Sequence, residues 1–130
     1  GNILGNAVRF GHADDVMIAG EGIETMLSLR EILPTMPMAA ATSSAHLAAI
    51  MFPPTLQRLY VARDRDAAGD AAFGILTDRA QAAGIELMSL MPELGDFNDD
   101  LREHDASVLG QQVCLLLHEH DRTRFFNDTG

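Results

Sequence analysis

Short apolar runs alternate along the chain with longer segments of helical periodicity. Four apolar runs, punctuated by charged residues, Gly or Pro, predict buried β-strands at residues 16–19, 37–41, 59–62 and 86–90. Apolar positions at helical spacing predict helices over residues 23–33, about 45–51 and 67–83. Because strands that alternate with helices form βαβ units, the sequence predicts an α/β fold, with a mainly parallel four-stranded sheet and helices on both faces.

The C-terminal quarter carries a weaker pattern. Asp105 can cap a last helix, in which one face collects Ala106, Leu109, Val113, Leu116 and Leu117. The tail that follows is polar apart from two phenylalanines, and its pattern predicts no element. Within it, the tract 118–121 (His-Glu-His-Asp) could bind a metal, but such short tracts at a helix end are more often solvated, and we expect that here.

Acidic residues follow the predicted strands at the points where those strands end. Glu21 follows the first strand, Asp64 and Asp66 follow the third, and Asp96 lies in the loop after the fourth. The carboxyl ends of parallel strands meet at one edge of a sheet, so we expect these carboxylates to converge there. Two carboxylates about 4 Å apart repel by roughly 4 kcal/mol unless a proton or a cation sits between them. Because Mg²⁺ prefers such oxygen ligands and often also binds substrate phosphates, the pattern predicts a magnesium site for phosphoryl chemistry.

Each of these acidic segments, taken alone, has a simpler interpretation. Asp64 and Asp66 could belong to a solvated loop that caps the next helix, and Glu21 and Glu24 could be first-turn acids that the helix dipole favours. The loop that follows the fourth strand could likewise be a capped, charged loop. Their joint placement at one sheet edge favours the metal site instead.

Arg63 and Arg65 flank the acids of the third strand. Because the guanidinium group matches phosphate oxygens in a bidentate geometry, both side chains are candidate phosphate contacts. Pairing with Asp66 or Asp70 is the equally acceptable alternative.

Charge and composition narrow the function classes. The 130 residues carry 19 acidic and nine basic side chains, all nine of them Arg, for a net charge of −10. The absence of Lys excludes lysine chemistry from this chain, and the negative charge opposes non-specific nucleic-acid binding. The lone Cys114 excludes an internal disulfide and a cysteine-rich zinc ribbon.

No apolar run reaches the roughly 18 residues of a membrane span and no leader opens the sequence, so we expect no membrane association and a cytoplasmic location. Because the sequence opens on Gly1 and not on Met, we expect a fragment of a larger protein.

Three ordered motifs strongly resemble the Toprim domain, in particular the modules of phage- and plasmid-type primases and primase-helicases. They are Gly20-Glu21-Gly22-Ile23-Glu24-Thr25, Asp64-Arg65-Asp66-Ala67-Ala68-Gly69 and Asp96-Phe97-Asn98-Asp99. The resemblance covers about residues 8–101 and implies a Rossmann-like Toprim fold. It predicts a single Toprim domain over residues 1–130, with a core at about 8–104 and a C-terminal helix and polar tail at 105–130.

The resemblance also implies roles for individual residues. Glu21 would act as the general acid or base and contact the metal, Asp64 and Asp66 would hold Mg²⁺ or, in its place, Mn²⁺, and Asp96 would support the metal site. Gly22 and Gly69 would allow tight turns beside it, with Glu24, Asn98 and Asp99 as further supporting residues.

The motifs depart from those of bacterial primases at two positions. Thr25 stands where those enzymes carry another acid, and Asn98 stands at the third position of their Asp-x-Asp motif. We therefore expect one firmly held metal ion, with a second recruited by substrate phosphates.

The function that the resemblance implies is Mg²⁺-dependent nucleotidyl transfer onto a nucleic-acid 3′ end, as part of a DNA primase or primase-helicase. Its partners would be single-stranded nucleic acid, nucleoside triphosphates and other domains of the same protein, namely a zinc ribbon and a helicase, so that the isolated module has little activity. The alternatives are a metal-dependent nuclease of the OLD type and a non-catalytic Toprim scaffold. A topoisomerase needs a tyrosine nucleophile, and Tyr60, the single tyrosine, lies within a predicted strand where we expect a core residue.

Overall fold

The computed structural model describes residues 7–10, 15–62, 67–90, 113 and 115–125. Its strands are β1 (Ala7–Phe10), β2 (Val16–Glu21), β3 (Met38–Ala41), β4 (Arg58–Ala62) and β5 (Glu86–Leu90). Its helices are α1 (Ile23–Ile32), α2 (Ser44–Ala48), α3 (Ala67–Ala83) and α4 (Glu119–Phe125). The four predicted strands and the three predicted helices between them are confirmed, although α2 ends three residues earlier than the predicted helix at 45–51.

The strands form one sheet in the order β1-β3-β2-β4-β5. Strands β2 to β5 are parallel to one another, and β1 pairs antiparallel with β3 at the edge. The predicted α/β fold with a mainly parallel sheet is therefore confirmed, and the structure adds β1 as a fifth strand. Strand β1 was not predicted because Arg9 interrupts its apolar run, unlike the continuous apolar runs at residues 16–19 and 59–62.

Both faces of the sheet are covered, as the near-continuous apolar sequence of its strands requires. Alternate residues of β2 enter different cores, with Val16 and Ile18 on one face and Met17 and Ala19 on the other. The first face packs against α1 and against Val113 and Leu117. The second packs against α2 and α3, through a set that includes Leu47, Ala48, Ala72 and Leu76. The expectation of helices on both faces is thus confirmed.

The described C-terminal residues pack onto the first of these faces. Val113 and Leu117 are buried there, and α4 follows them. Most of the helix predicted after Asp105, including Cys114, lies outside the described residues. None of the helices in the described ranges combines the length and the apolar character that crossing a membrane requires.

Candidate functional site

Glu21 is the last residue of β2, at the carboxyl end of the parallel strands. Its backbone pairs with Ala41 on β3, and the preceding Gly20 pairs with Ala62 on β4. Because β2 has a neighbouring strand on either side, Glu21 stands in the middle of this edge of the sheet. This is the position at which open α/β sheets bind their ligands.

Gly22 allows the chain to turn directly from β2 into α1, and Gly20 allows α1 to pack closely against the sheet. Gly22 has φ +89°, a conformation that side chains with a Cβ rarely adopt, and its N–H donates to the Ala41 carbonyl at 2.8 Å. A Cβ on Gly20 would lie 2.7 Å from the Met26 Sδ and 3.0 Å from the Ala62 Cβ. The absence of a side chain at Gly20 therefore lets α1 approach the sheet beside Glu21.

The Glu21 carboxylate is held by a residue from another element. Ser44 Oγ, in the first turn of α2, donates a hydrogen bond of 2.8 Å to Glu21 Oε2. The adjacent Ser43 is the N-cap of α2, because its Oγ accepts from the His46 N–H at 3.1 Å. The turn between β3 and α2 thus carries a polar group directly to the Glu21 side chain.

A shallow groove of about 420 Å³ opens beside this carboxylate. Its walls come from the end of β2, the start of α1 and the end of β3, through Glu21, Gly22, Ile23, Glu24, Thr25 and Thr42. Glu24 is exposed in the first turn of α1, and the Thr42 hydroxyl is hydrogen-bonded to His46 Nδ1. Because Glu21 and Glu24 both carry carboxyl groups, this groove suits a cation or a ligand that donates hydrogen bonds.

The structure describes some of the residues that the sequence predicts for the site and leaves others outside its described ranges. Glu21, Gly22 and Glu24 lie together at the groove. The predicted site residues outside the described ranges are Arg63, Asp64, Arg65, Asp66, Asp96, Asn98 and Asp99. Within the described ranges, no group of three or more His, Cys, Asp or Glu side chains could hold a metal ion. Glu21 is thus the described carboxylate on which a metal hypothesis depends.

The expectation of a tight turn at Gly69 is wrong. Gly69 is buried in the first turn of α3, which begins at Ala67. The backbone at Gly69 is therefore helical, and this position requires no turn conformation.

A second polar cluster lies at the opposite, amino end of the parallel strands. Arg58, at the start of β4, donates from Nη1 to Asp121 Oδ2 at 2.8 Å and from Nε to Glu86 Oε1 at 2.6 Å. The Tyr60 hydroxyl also donates to Asp121 Oδ2 and accepts from the His118 N–H at 2.9 Å. We call Arg58, Tyr60, Glu86 and Asp121 the Arg58 network.

The Arg58 network corrects one expectation and agrees with another. His118, Glu119 and His120 are exposed, as expected for a solvated tract, but Asp121 is completely buried. Tyr60 is also completely buried, as expected of a core residue, and burial together with the bond to Asp121 raises its pKa above the ordinary value of 10.0. Neither residue is therefore placed to act on a substrate.

Sequence reasoning missed Ser44 and Asp121. Residues 113, 117 and 121 are all buried and recur at the four-residue spacing of one helix face, although the helix is interrupted at residues 117 and 118. That spacing is a signal that could have revealed the burial of Asp121.

Arg124 makes a further contact between α4 and the rest of the protein. Its guanidinium donates to both carboxylate oxygens of Asp15 at 2.8 Å and lowers the Asp15 pKa.

Comparison with known proteins is consistent with this arrangement. The family model of the Toprim domain matches residues 16–107, which cover β2 to β5 and the three motifs. A search of curated proteins found no significant match. Since the family model covers well over half of the chain, the chain belongs to the Toprim family, whose domains are metal-binding modules of nucleic-acid-processing proteins.

Proposed function

We propose that this chain is the catalytic Toprim module of a primase or primase-helicase-like protein and supports Mg²⁺-dependent nucleotidyl transfer onto a nucleic-acid 3′ end. The observation that carries the proposal is the Glu21 carboxylate, which lies at the carboxyl end of a central parallel strand, beside an open groove. A carboxylate in this position can take a proton from an attacking hydroxyl group or return one to a leaving group.

The donor chemistry of the groove fits Mg²⁺, because its wall presents carboxylate and hydroxyl oxygens from Glu21, Glu24 and Thr42. We assign the metal to Glu21, Asp64, Asp66 and Asp96, with Mn²⁺ as a substitute. Bound there, the metal would neutralise phosphate charge and polarise a phosphate oxygen. Arg63 and Arg65 are the proposed phosphate contacts.

Chain connectivity supports this metal assignment. Ala62 ends β4 and pairs with Gly20, the neighbour of Glu21, and Asp64 follows two residues later in the sequence. Neighbouring strands lie about 4.8 Å apart, and two residues extend the chain by at most roughly 7 Å. The length of this connection therefore permits Asp64 and Glu21 to share one cation at this edge of the sheet.

Metal-dependent melting and nucleotidyl transfer test the proposal together. In wild type we expect Mg²⁺ to raise the melting temperature in a concentration-dependent manner. With nucleoside triphosphates and a labelled single-stranded primer, we also expect weak extension that EDTA abolishes. Glu21→Gln should lose the extension and most of the metal effect, because it removes the negative charge and the proton acceptor.

Glu86→Gln is the matched control, since Glu86 is an exposed glutamate at the start of β5, at the opposite end of the sheet. It should keep both the metal effect and the activity. Strand cleavage in place of extension would assign the chain to the nuclease alternative. A melting temperature that does not respond to Mg²⁺ or Mn²⁺ would indicate a non-catalytic scaffold.

A further inference from the structure

The contact between Ser44 and Glu21 joins two elements that are 23 residues apart in the sequence. Ser44 Oγ donates to Glu21 Oε2 at 2.8 Å, a normal length for a hydroxyl–carboxylate hydrogen bond. A hydroxyl group that donates to a carboxylate makes a stronger hydrogen bond than one between neutral groups. It acts on the same carboxylate that the proposed reaction uses.

The helix that carries Ser44 is fixed at both of its ends. Ser43 caps its N-terminus through the His46 N–H. At its C-terminal end, the Arg79 guanidinium donates to the carbonyls of Ala48, the last residue of α2, and of Ile50, at 2.7 and 2.8 Å. The same guanidinium lies over the Phe52 ring, 4.4 Å from the ring centroid. Because α2 has only five residues, these anchors hold it where packing alone would be weak. The Ser44 hydroxyl is therefore presented to Glu21 by a helix that has hydrogen-bonded anchors at both ends.

We infer that Ser44 is a positioning residue for Glu21, an inference that rests on the proposed function. A glutamate side chain has several rotatable bonds, and at a sheet edge it would otherwise sample several rotamers. The hydrogen bond restrains one carboxylate oxygen, Oε2, and leaves Oε1 as the atom that exchanges a proton or meets the metal. Holding a reacting group in one geometry raises the rate of the chemical step without changing how substrate is bound elsewhere.

The test compares Ser44→Ala with Ser44→Thr, which keeps a hydroxyl group, and with Thr77→Ala. Thr77 is the control because it is an exposed residue of α3 whose hydroxyl donates to its own helix, at the Phe73 carbonyl. The first measurement is the distribution of Glu21 side-chain rotamers, obtained from NMR scalar couplings. We expect one dominant rotamer in wild type, Ser44→Thr and Thr77→Ala, and averaging over several rotamers in Ser44→Ala.

The second measurement is steady-state nucleotidyl transfer with Mg²⁺. We expect Ser44→Ala to lower kcat about tenfold, with the KM for nucleotide changed by less than about twofold. Ser44→Thr should restore most of the loss.

The two measurements separate failure of this inference from failure of the proposed function. Identical Glu21 rotamers in wild type and Ser44→Ala would overturn the positioning role, whatever the activity. A kcat that Ser44→Ala leaves unchanged while Glu21→Gln abolishes it would overturn the catalytic importance of Ser44. A single Glu21 rotamer that depends on Ser44, in a protein whose activity does not depend on Glu21, would support the contact and refute the proposed function.

Discussion

The buried and exposed acids that share Arg58 allow a controlled test of what holds the C-terminal segment to the sheet. The side chain of Asp121 is 0% exposed and that of Glu86 is 53% exposed, while the Arg58 side chain between them is 17% exposed. The substitutions Asp121→Asn and Glu86→Gln each remove one negative charge from the same guanidinium at nearly constant side-chain volume. Their comparison therefore contrasts a buried acid, which also accepts a hydrogen bond from Tyr60, with an exposed one.

The expected magnitudes differ by several fold. Breaking a buried ion pair from one side costs about 3–5 kcal/mol. Among the described residues, however, Asp121 Oδ1 is buried without a hydrogen-bond partner, and removing the charge relieves part of that penalty. We therefore expect Asp121→Asn to lower the free energy of unfolding by about 2–3 kcal/mol. Glu86→Gln should cost under about 1 kcal/mol, as for other exposed ion pairs.

Urea denaturation with tyrosine fluorescence measures both values. Tyr60 is the single tyrosine and the chain has no tryptophan, so the signal comes from a residue that itself contacts Asp121. Far-ultraviolet circular dichroism, recorded in parallel, shows whether the helices unfold in the same transition. Added salt should weaken the Glu86 contribution and leave the Asp121 contribution nearly unchanged, because buried pairs are screened less. Equal costs for the two variants, within about 0.5 kcal/mol, would refute the argument that burial determines the strength of the Arg58 network.

Three further predictions concern packing, ionisation and helix anchoring. Gly20→Ala should destabilise the protein by about 1–3 kcal/mol, because the added Cβ meets Met26 and Ala62. Gly74→Ala, whose Cβ has open space around it, should stabilise α3 by about 0.5–1 kcal/mol, and equal melting temperatures of the two variants would contradict this prediction. Burial and the hydrogen bond to Asp121 raise the Tyr60 pKa, so the contribution of Tyr60 to stability is complete below about pH 10 and is lost as the pH rises further. Tyrosinate absorbance should therefore appear only when the protein unfolds. Its appearance in the folded protein near pH 10 would contradict this prediction. Arg79→Met should lower the free energy of unfolding by about 1–2 kcal/mol, because it removes the hydrogen bonds to the Ala48 and Ile50 carbonyls and the contact with the Phe52 ring. An unchanged urea midpoint would show that α2 does not need the Arg79 side chain as an anchor.

The sheet could be predicted because its signal is local. The central strands are buried on both faces, so short apolar runs such as residues 16–19 and 59–62 identify them without knowledge of their partners. The direction of the strands then follows from the helices between them. Strand β1 could not be found in this way, because Arg9 interrupts its apolar run and the strand is defined by its pairing with β3.

The candidate site could be predicted only in part, for a related reason. The position of Glu21 follows from the end of β2, which the sequence marks with glycines on either side. The role inferred for Ser44 depends on where α2 lies relative to β2, and no spacing in the sequence encodes that distance. Asp121 was missed because a tract of His, Glu and Asp suggests a solvated surface, whereas its burial depends on Arg58, which is 63 residues away.

The positions of these two polar sites imply that stability and chemistry are separated within the sheet. The Arg58 network fixes the amino half of β4, and Ala62 at the other end of the same strand pairs beside Glu21. Strands in a parallel sheet keep their register through many backbone bonds, so a loss at one end lowers global stability without displacing the other end. Asp121→Asn should therefore lower the melting temperature yet preserve its increase with Mg²⁺, whereas Glu21→Gln should preserve the melting temperature in EDTA and lose that increase. If Asp121→Asn also abolished the metal effect in protein that is still folded, the two ends of the sheet would be coupled, and α4 would belong to the functional machinery.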